Sequence, residues 1–504
     1  MLNITQPYNN QGVQAVQHSY IQELIQNARA RSEMYIKARE YFDGIHDTQL
    51  TDRTRQFLGV KADTEFNVNY CPMVVNAKSD RLSISTFDTE DTQKDILWQW
   101  WRKNRMDRLQ GIVHKASIRD GDAFVLVEWD NVAEMPRFYY EPAYTGDGVM
   151  VYYSDERRND MLFASKHWRL NYGAYTGKVR RLNLYFPDRI EKYISNDDIA
   201  TGNWQPYQDD ETIVMPGHFG NAGVVWFTDS GAENGKPLGI PIVHFKHNDS
   251  GDSYGTSHLA NVIPVQDAVN KTLIDLLGAM DSNGFPLLVG TGTAAWTQVK
   301  VGPGAIAAVD KSAQEADLKA IPPMNPAGLL AVYNAMVMEI GRVSGTPLSY
   351  FQTSGQVSAE GTMKQQEIAL ITQVKKAQID YGNAWEDVLT IARRLYNVYG
   401  AGGLDEDVMI DAVWDEAETR NDKEQAETLS IKVQALGVSE QQAWTEMGYD
   451  ETQVKAFERE KKRKQAMALR QAIPLQSVNT AQGQAQNMTQ TENENVNDTA
   501  NRAA

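Results

Sequence analysis

Gly251-Asp252-Ser253-Tyr254-Gly255 has the G-x-S-x-G spacing that lifts a serine hydroxyl onto a sharp strand-to-helix turn in hydrolases. Read that way, Ser253 is a nucleophile that needs a histidine base. Three features oppose it. The apolar run that would be the strand ends near His247, well short of Ser253. The usual chain order places an acid and then a histidine after the serine, yet no histidine follows His258. The pattern is also short for a chain with 36 glycines. The competing reading is a flexible hinge ahead of a helix. His244-x-x-His247, with Asp249 and Asp252 nearby, has ligand-type side chains. On a strand, however, residues three apart point to opposite faces, so the pair is not expected to share an ion. One cysteine, Cys71, rules out thiolate zinc clusters, and no H-E-x-x-H occurs. Gly355–Lys364 lacks Walker A spacing, so any work done on a partner needs an external ATPase. No metal, no cofactor and no catalytic residue is expected.

The elements around these residues follow from periodicity. Ser19–Tyr41 reads as a helix ended by Asp43-Gly44, and Asp91–Met106 and Gln110–Asp120 as two more. From Ala123 the period changes to two. Strands are expected over Ala123–Trp129, Arg137–Tyr140, Val149–Tyr153, Met161–Trp168, Arg180–Tyr185 and Arg189–Tyr193, with another at Ile240–Phe245. Their tyrosines hint at a sugar-binding surface, but aromatic residues are simply good β formers.

A helix is then expected from Thr256 or Ser257, with Pro264 as a kink or restart. Its apolar stripe is Val262, Val265, Val269, Leu273, Leu276 and Met280. Leu287–Ile321 is short, β-like and rich in Gly, Ala and Pro. Gly328–Gly341 is a second helix, and Thr346–Gly361 an exposed loop of small polar residues. Glu360–Tyr399 carries Ile371, Val374, Gln378, Tyr381, Trp385, Val388, Ala392, Leu395 and Tyr399 in unbroken steps of three and four, with one polar lapse at Gln378. A helix of roughly 40 residues is far above the globular mean of about 11–12. No cluster of catalytic residue types sits on its polar face, so it points to architecture rather than chemistry. Asp405–Glu427 is an acidic block and Lys455–Arg470 a basic one. They either pair between subunits or are plain solvated faces. Residues from 473 onward are rich in Gln, Asn and Thr and are expected to be disordered.

Composition bounds the function. The chain has 504 residues, 42% hydrophobic and 23% charged, with formal net charge −17. About three domains are expected. The acidity argues against tight, static nucleic-acid binding but not against a surface past which DNA slides. It also serves solubility. The polar first residues lack a signal-peptide pattern, and no apolar run approaches a membrane span. Synthesis and folding in a cytoplasm, away from any membrane, are expected.

Several pieces, in this order, resemble the tailed-bacteriophage portal proteins of siphovirus-like heads: Tyr41-Phe42-Asp43-Gly44-Ile45-His46, Asn67-Val68-Asn69, Arg119-Asp120-Gly121-Asp122-Ala123-Phe124, Tyr185-Phe186-Pro187-Asp188, Gly239–Phe245, Gly255-Thr256-Ser257, Val265–Lys271 and Ser358-Ala359-Glu360-Gly361. The resemblance implies an α+β portal fold and a ring of twelve copies around a DNA channel. It also implies this division: 1–18 flexible N-terminus, 19–255 β-rich wing, 256–284 first stem helix, 285–326 clip, 327–345 second stem helix, 346–361 tunnel loop, 362–399 long helix, 400–470 helical crown and 471–504 disordered tail. Implied partners are double-stranded DNA, the terminase large subunit, a head-completion adaptor, and the major capsid and scaffolding proteins. The implied place is the portal vertex of the virion, with the host cytoplasm during assembly.

On that footing Gln352, Thr353, Ser354 and Gln356 are the channel-loop residues, neutral donors that touch phosphates without holding them. Lys271 is the stem candidate for offsetting repulsion of DNA. Lys300, Lys311 and Lys319 are the clip's partner-binding candidates. The clip either completes sheets with neighbouring chains or is an ordinary hairpin between helices. The alternatives to a portal are a cytoplasmic serine hydrolase using Ser253 and an unrelated oligomeric structural protein.

Overall fold

The computed structural model describes residues 13–46, 67–89, 93–154, 160–170, 179–195, 204–207, 223–225, 235–284, 288–291, 317–320, 326–351, 360–418, 422–447, 449 and 451–472. It divides into two compact units, Met1–Ala417 and Glu418–Ala504. The fold mixes helices and antiparallel sheets.

The first unit opens with α1 (Val13–Asp43), which starts six residues before the expected Ser19. Its buried face runs Leu24, Ile25, Ala28, Tyr35, Ala38 and Tyr41. Next come α2 (Cys71–Ser79), β1 (Ile84–Thr89), α3 (Lys94–Lys103) and α4 (Met106–Asp120). The helix expected over Asp91–Met106 stops earlier. Asn104 donates to the carbonyls of Trp100 and Pro136, and Arg105 takes φ 57°, which turns the chain into α4. The amphipathic Trp-rich end delivers Leu97, Trp100 and Trp101 to the interior.

Two sheets follow. β2 (Asp122–Asp130) pairs antiparallel with β3 (Met135–Pro142) on one side and β10 (Ile242–Lys246) on the other. β4 (Gly148–Tyr153), β5 (Met161–Arg169), β6 (Arg180–Tyr185), β7 (Arg189–Ser195), β8 (Gln205–Pro206) and β9 (Gly223–Val225) form a second antiparallel sheet. Every strand expected in this region is present.

α5 (Ile263–Gly284) begins at Ile263, not at Thr256. Ser257 caps no helix here. Its hydroxyl donates to the carbonyl of Arg119 and accepts from the amide of Leu259. Pro264 therefore lies in the first turn, where a missing N–H costs nothing, and it is not a kink. β11 (Leu288–Thr291) and β12 (Asp317–Ala320) pair with each other. α6 (Pro326–Ser344) packs on α5, and a 3₁₀ turn at Leu348–Phe351 follows.

α7 (Glu360–Tyr399) is 40 residues long. Its buried line is Leu370, Val374, Ala377, Tyr381, Trp385, Val388, Ala392 and Leu395. Ala377, one residue earlier, takes the buried place that the stripe gave to Gln378, and Gln378 donates to the carbonyl of Asp415. The centre of the unit is aromatic. Trp385 meets Trp101 at 4.9 Å and Phe245 at 4.7 Å, both edge-on, the preferred geometry for such rings.

β13 (Ile410–Trp414) is a strand inside the acidic block, where the resemblance implies a helical crown. It pairs with β1, and its Ile410 is buried, with Ala412 and Trp414 half-buried beside it. In the second unit, α8 (Asp422–Leu436), α9 (Glu440–Glu446) and α10 (Glu451–Ala472) pack with Trp444, Tyr449 and Phe457 in edge-on contact. Ser439 caps α9 by accepting from the amide of Gln442.

Candidate functional site

The base of α5 is held by side chains acting as backbone substitutes. Gln266 and Asn270 are one helical turn apart and fully buried. Gln266 accepts from the amide of Tyr70 at 2.9 Å and donates to the carbonyl of Val68 at 2.6 Å. Asn270 accepts from the amide of Val68 at 2.9 Å, and its amide nitrogen lies 2.6 Å from His46 Nδ1. Two carboxamides thus supply partners to the amide and carbonyl of Val68 and to the amide of Tyr70, which no strand pairs. Tyr41 adds a bond to Asp267 at 2.7 Å, and the Tyr70 and Tyr333 hydroxyls meet at 3.2 Å, tying α6 into the same joint. Burial is the first cause that raises the Tyr70 phenol. None of these roles was read from sequence. The available sign was three polar residues, Gln266, Asp267 and Asn270, close together in the first half of the helix.

Lys271 follows Asn270 and is exposed, the side a channel-facing residue would need. Gln352, Thr353, Ser354 and Gln356 lie outside the described residues, as do Lys300 and Lys311. Phe351, just before the first four in sequence, is buried against Tyr70 at a ring distance of 5.9 Å, and α7 begins at Glu360. Lys319 lies on β12 opposite Val289.

The Ser253 segment is clamped, not poised. Asp122 is fully buried and receives Tyr35 Oη at 2.6 Å, Arg31 Nη2 at 2.9 Å, the Gly255 amide at 2.7 Å and His244 Nε2 at 2.8 Å. Burial resists ionisation of Asp122, but the His244, Arg31 and Tyr35 contacts outweigh it and hold the carboxyl at about 2. Burial lowers His244, so it is neutral near pH 7, with its proton on Nε2 and Nδ1 accepting from Tyr153 at 2.8 Å. The Arg31 guanidinium also covers the Tyr254 ring at 4.1 Å and donates to the Gly255 carbonyl.

Gly255 explains the second glycine of the motif. A Cβ there would stand 2.1 Å from the Gly121 carbonyl oxygen and 2.7 Å from the His247 backbone. Among the described residues no histidine is hydrogen-bonded to Ser253. His244 and His247 diverge as their spacing predicts, since His244 faces Asp122 while His247 Nδ1 meets the Tyr381 hydroxyl at 3.3 Å. Among the described residues no group of three metal-ligating side chains gathers, and no helix is long and apolar enough to cross a membrane.

A sequence profile of the family described as "Phage portal protein, SPP1 Gp6-like" matches residues 21–467. The portal protein of Mycobacterium phage D29 is 21% identical over 484 residues, spanning 89% of this chain and 91% of that protein. The portal protein of Mycobacterium phage L5 is 22% identical over 452 residues, spanning 83% and 84%. Among solved structures, a chain from the neck of an empty GTA particle computed with C6 symmetry aligns at 11% identity with a TM-score of 0.39. That alignment covers 75% of this chain and 88% of the other, a likeness too loose to place any element.

Proposed function

The chain belongs to the SPP1 Gp6-like family of phage portal proteins, and on that footing we propose that twelve copies form a ring at one capsid vertex. The ring is the channel for DNA packaging and ejection. It is also the docking platform for the terminase large subunit during packaging, for a head-completion adaptor afterwards, and for the capsid and scaffolding proteins around it. Assembly takes place in the host cytoplasm. The observation that carries this reading is the run α5, β11–β12 hairpin, α6 and the long α7. Two packed helices carry a small hairpin at one end. At the other end, α6 is followed by the 3₁₀ turn that ends at Phe351 and then by the 40-residue α7. In this arrangement α5 and α6 form the stem, the hairpin forms the clip and residues 352–359 face the DNA.

The electrostatics support passage rather than capture. Each copy carries formal charge −17, so a ring repels the duplex instead of holding it. Gln352, Thr353, Ser354 and Gln356 offer neutral donors there. Lys271, exposed on α5, is the local offset, and Lys271→Ala leaves packaging and DNA retention unchanged if that role is wrong. Lys300, Lys311 and Lys319 belong to the clip's docking face, and reversing all three should weaken terminase binding while ring formation persists.

The deciding experiment is the mass and rotational symmetry of the purified protein, by light scattering and class-averaged electron micrographs. Twelve copies of a 56.6 kDa chain give about 680 kDa (12 × 56.6). A ring near that mass with a central hole supports the reading. A monomer or dimer at every concentration removes it.

A further inference from the structure

The outer face of α4 and the turn after α2 enclose an open groove of about 570 Å³. Along α4 the groove presents Arg108, Ile112, Lys115 and Arg119, one stripe at helical spacing. Ile112 is 41% exposed, and a Cβ on Gly111 would meet nothing within 4 Å, so the floor is apolar and open. Arg119 is committed to Asp120 at 2.7 and 2.9 Å. Arg108 and Lys115 have no ion pair or side-chain hydrogen bond among the described residues. Asp80 and Asp107 also border the groove, so it is mixed in charge but leaves two cations unmatched.

The same unit holds an opposite surface. The inner side of β13 rests on α7, and its outer side shows Asp411 and Val413, with Met409 and Asp415 flanking. Met409 is 78% exposed and Val413 39%. No ion pair neutralises Asp411 or Asp415 among the described residues. Along a strand, Asp411 and Asp415 are about 13 Å apart with Val413 between them. Along α4, Arg108 and Lys115 are about 10.5 Å apart with Ile112 between them. Acid, apolar, acid therefore faces cation, apolar, cation at a similar pitch.

We infer that the α4 groove is a docking site for the outer face of β13 from a second copy of this chain. The copy's own ridge is not available to its groove. β13 is fixed in register against β1, and the amide of Asp415 is bound to the carbonyl of Ser83 at 2.8 Å. The ridge ends beside the groove, since Ser83, which holds Asp415, also lines it; with each groove taking the ridge of the next copy in one rotational sense, the contact is head-to-tail, the type that closes into a ring when its rotation closes. The inference rests on the assembly reading above and adds to it which surfaces meet.

The test is light scattering of the full-length protein in three variants, with far-UV circular dichroism to check folding. Arg108→Glu with Lys115→Glu should reduce the assembled mass towards 56.6 kDa, and so should Asp411→Lys with Asp415→Lys. Combining all four changes should restore the wild-type mass, a rescue that misfolding cannot produce. An unchanged mass in the Arg108/Lys115 variant overturns this inference alone. Loss without rescue overturns the pairing with β13. A wild-type chain that stays single at every concentration overturns both this inference and the assembly reading.

Discussion

Trp385 donates its indole N–H to His114 Nε2 at 2.9 Å, while His114 Nδ1 lies 3.2 Å from the carbonyl of Leu82. This fixes the imidazole as a neutral tautomer that accepts on one nitrogen and donates on the other. A second proton would set donor against donor inside the aromatic core.

Acid should therefore unfold the protein through its histidines. Burial lowers His114, His167 and His258 to about 3, and it also depresses His244 and His247. The unfolded chain binds these protons below about 6.5, whereas the native state does not. Stability falls as pH drops through that value, by about 1.4 kcal/mol per pH unit for each group. Melting temperatures measured from pH 7.5 to 5 should drop steeply, and a flat profile would contradict the assignment.

Lys78 acts in the same direction at higher pH. It is 2% exposed, and burial lowers its ammonium to about 8 against attraction from Asp380. Between about 8 and its free value of 10.5 the unfolded chain holds the proton more tightly, so this group makes stability rise with pH across that window. Lys78→Met should stabilise the protein at pH 7 by up to about 3 kcal/mol and flatten the alkaline rise, read by urea unfolding at pH 7 and 9.5.

The G-x-S-x-G segment should respond to its glycine and not to its serine. Gly255→Ala forces a methyl group into the Gly121 carbonyl and should cost about 3 kcal/mol or more, while Ser253→Ala should stay within about 0.5 kcal/mol. Labelling by a serine-reactive probe that disappears in Ser253→Ala would instead restore an enzymatic role.

At the start of α5, Asn270→Ala leaves the Val68 amide without a partner, and Gln266→Ala strands the Tyr70 amide and the Val68 carbonyl. Each should cost about 1–3 kcal/mol per orphaned group. Hydrogen exchange should show the loss at residues 68–70 first.

Much of this was legible from periodicity, because burial on one face leaves a repeat of two or of three and four. The strands from Asp122 to Ser195 and the stripe of α7 are of that kind. What stayed hidden depends on distant chain. Nothing near Ile410 announces that its partner is Thr89, and the surrounding carboxylates mask a five-residue strand. Thr256 and Ser257 have cap chemistry, but the Thr256 amide is bound to the carbonyl of His247 and the Ser257 hydroxyl to that of Arg119, which holds them out of the helix. The Asp122 cluster draws on α1, β2, β10 and the loop before α5, so no local window contains it.

The β1–β13 ladder also sets an order of events during synthesis. Ile84 and Phe87 are buried by a unit whose closing strand is made more than 300 residues later. Until the ribosome has passed Trp414, β1 has an unpaired edge, the kind of edge that invites pairing with the wrong chain. Completion of the fold is therefore tied to near-completion of translation. Polypeptides cut short before Ile410 lack the strand that closes the unit, so they should enter the aggregated fraction rather than join growing assemblies.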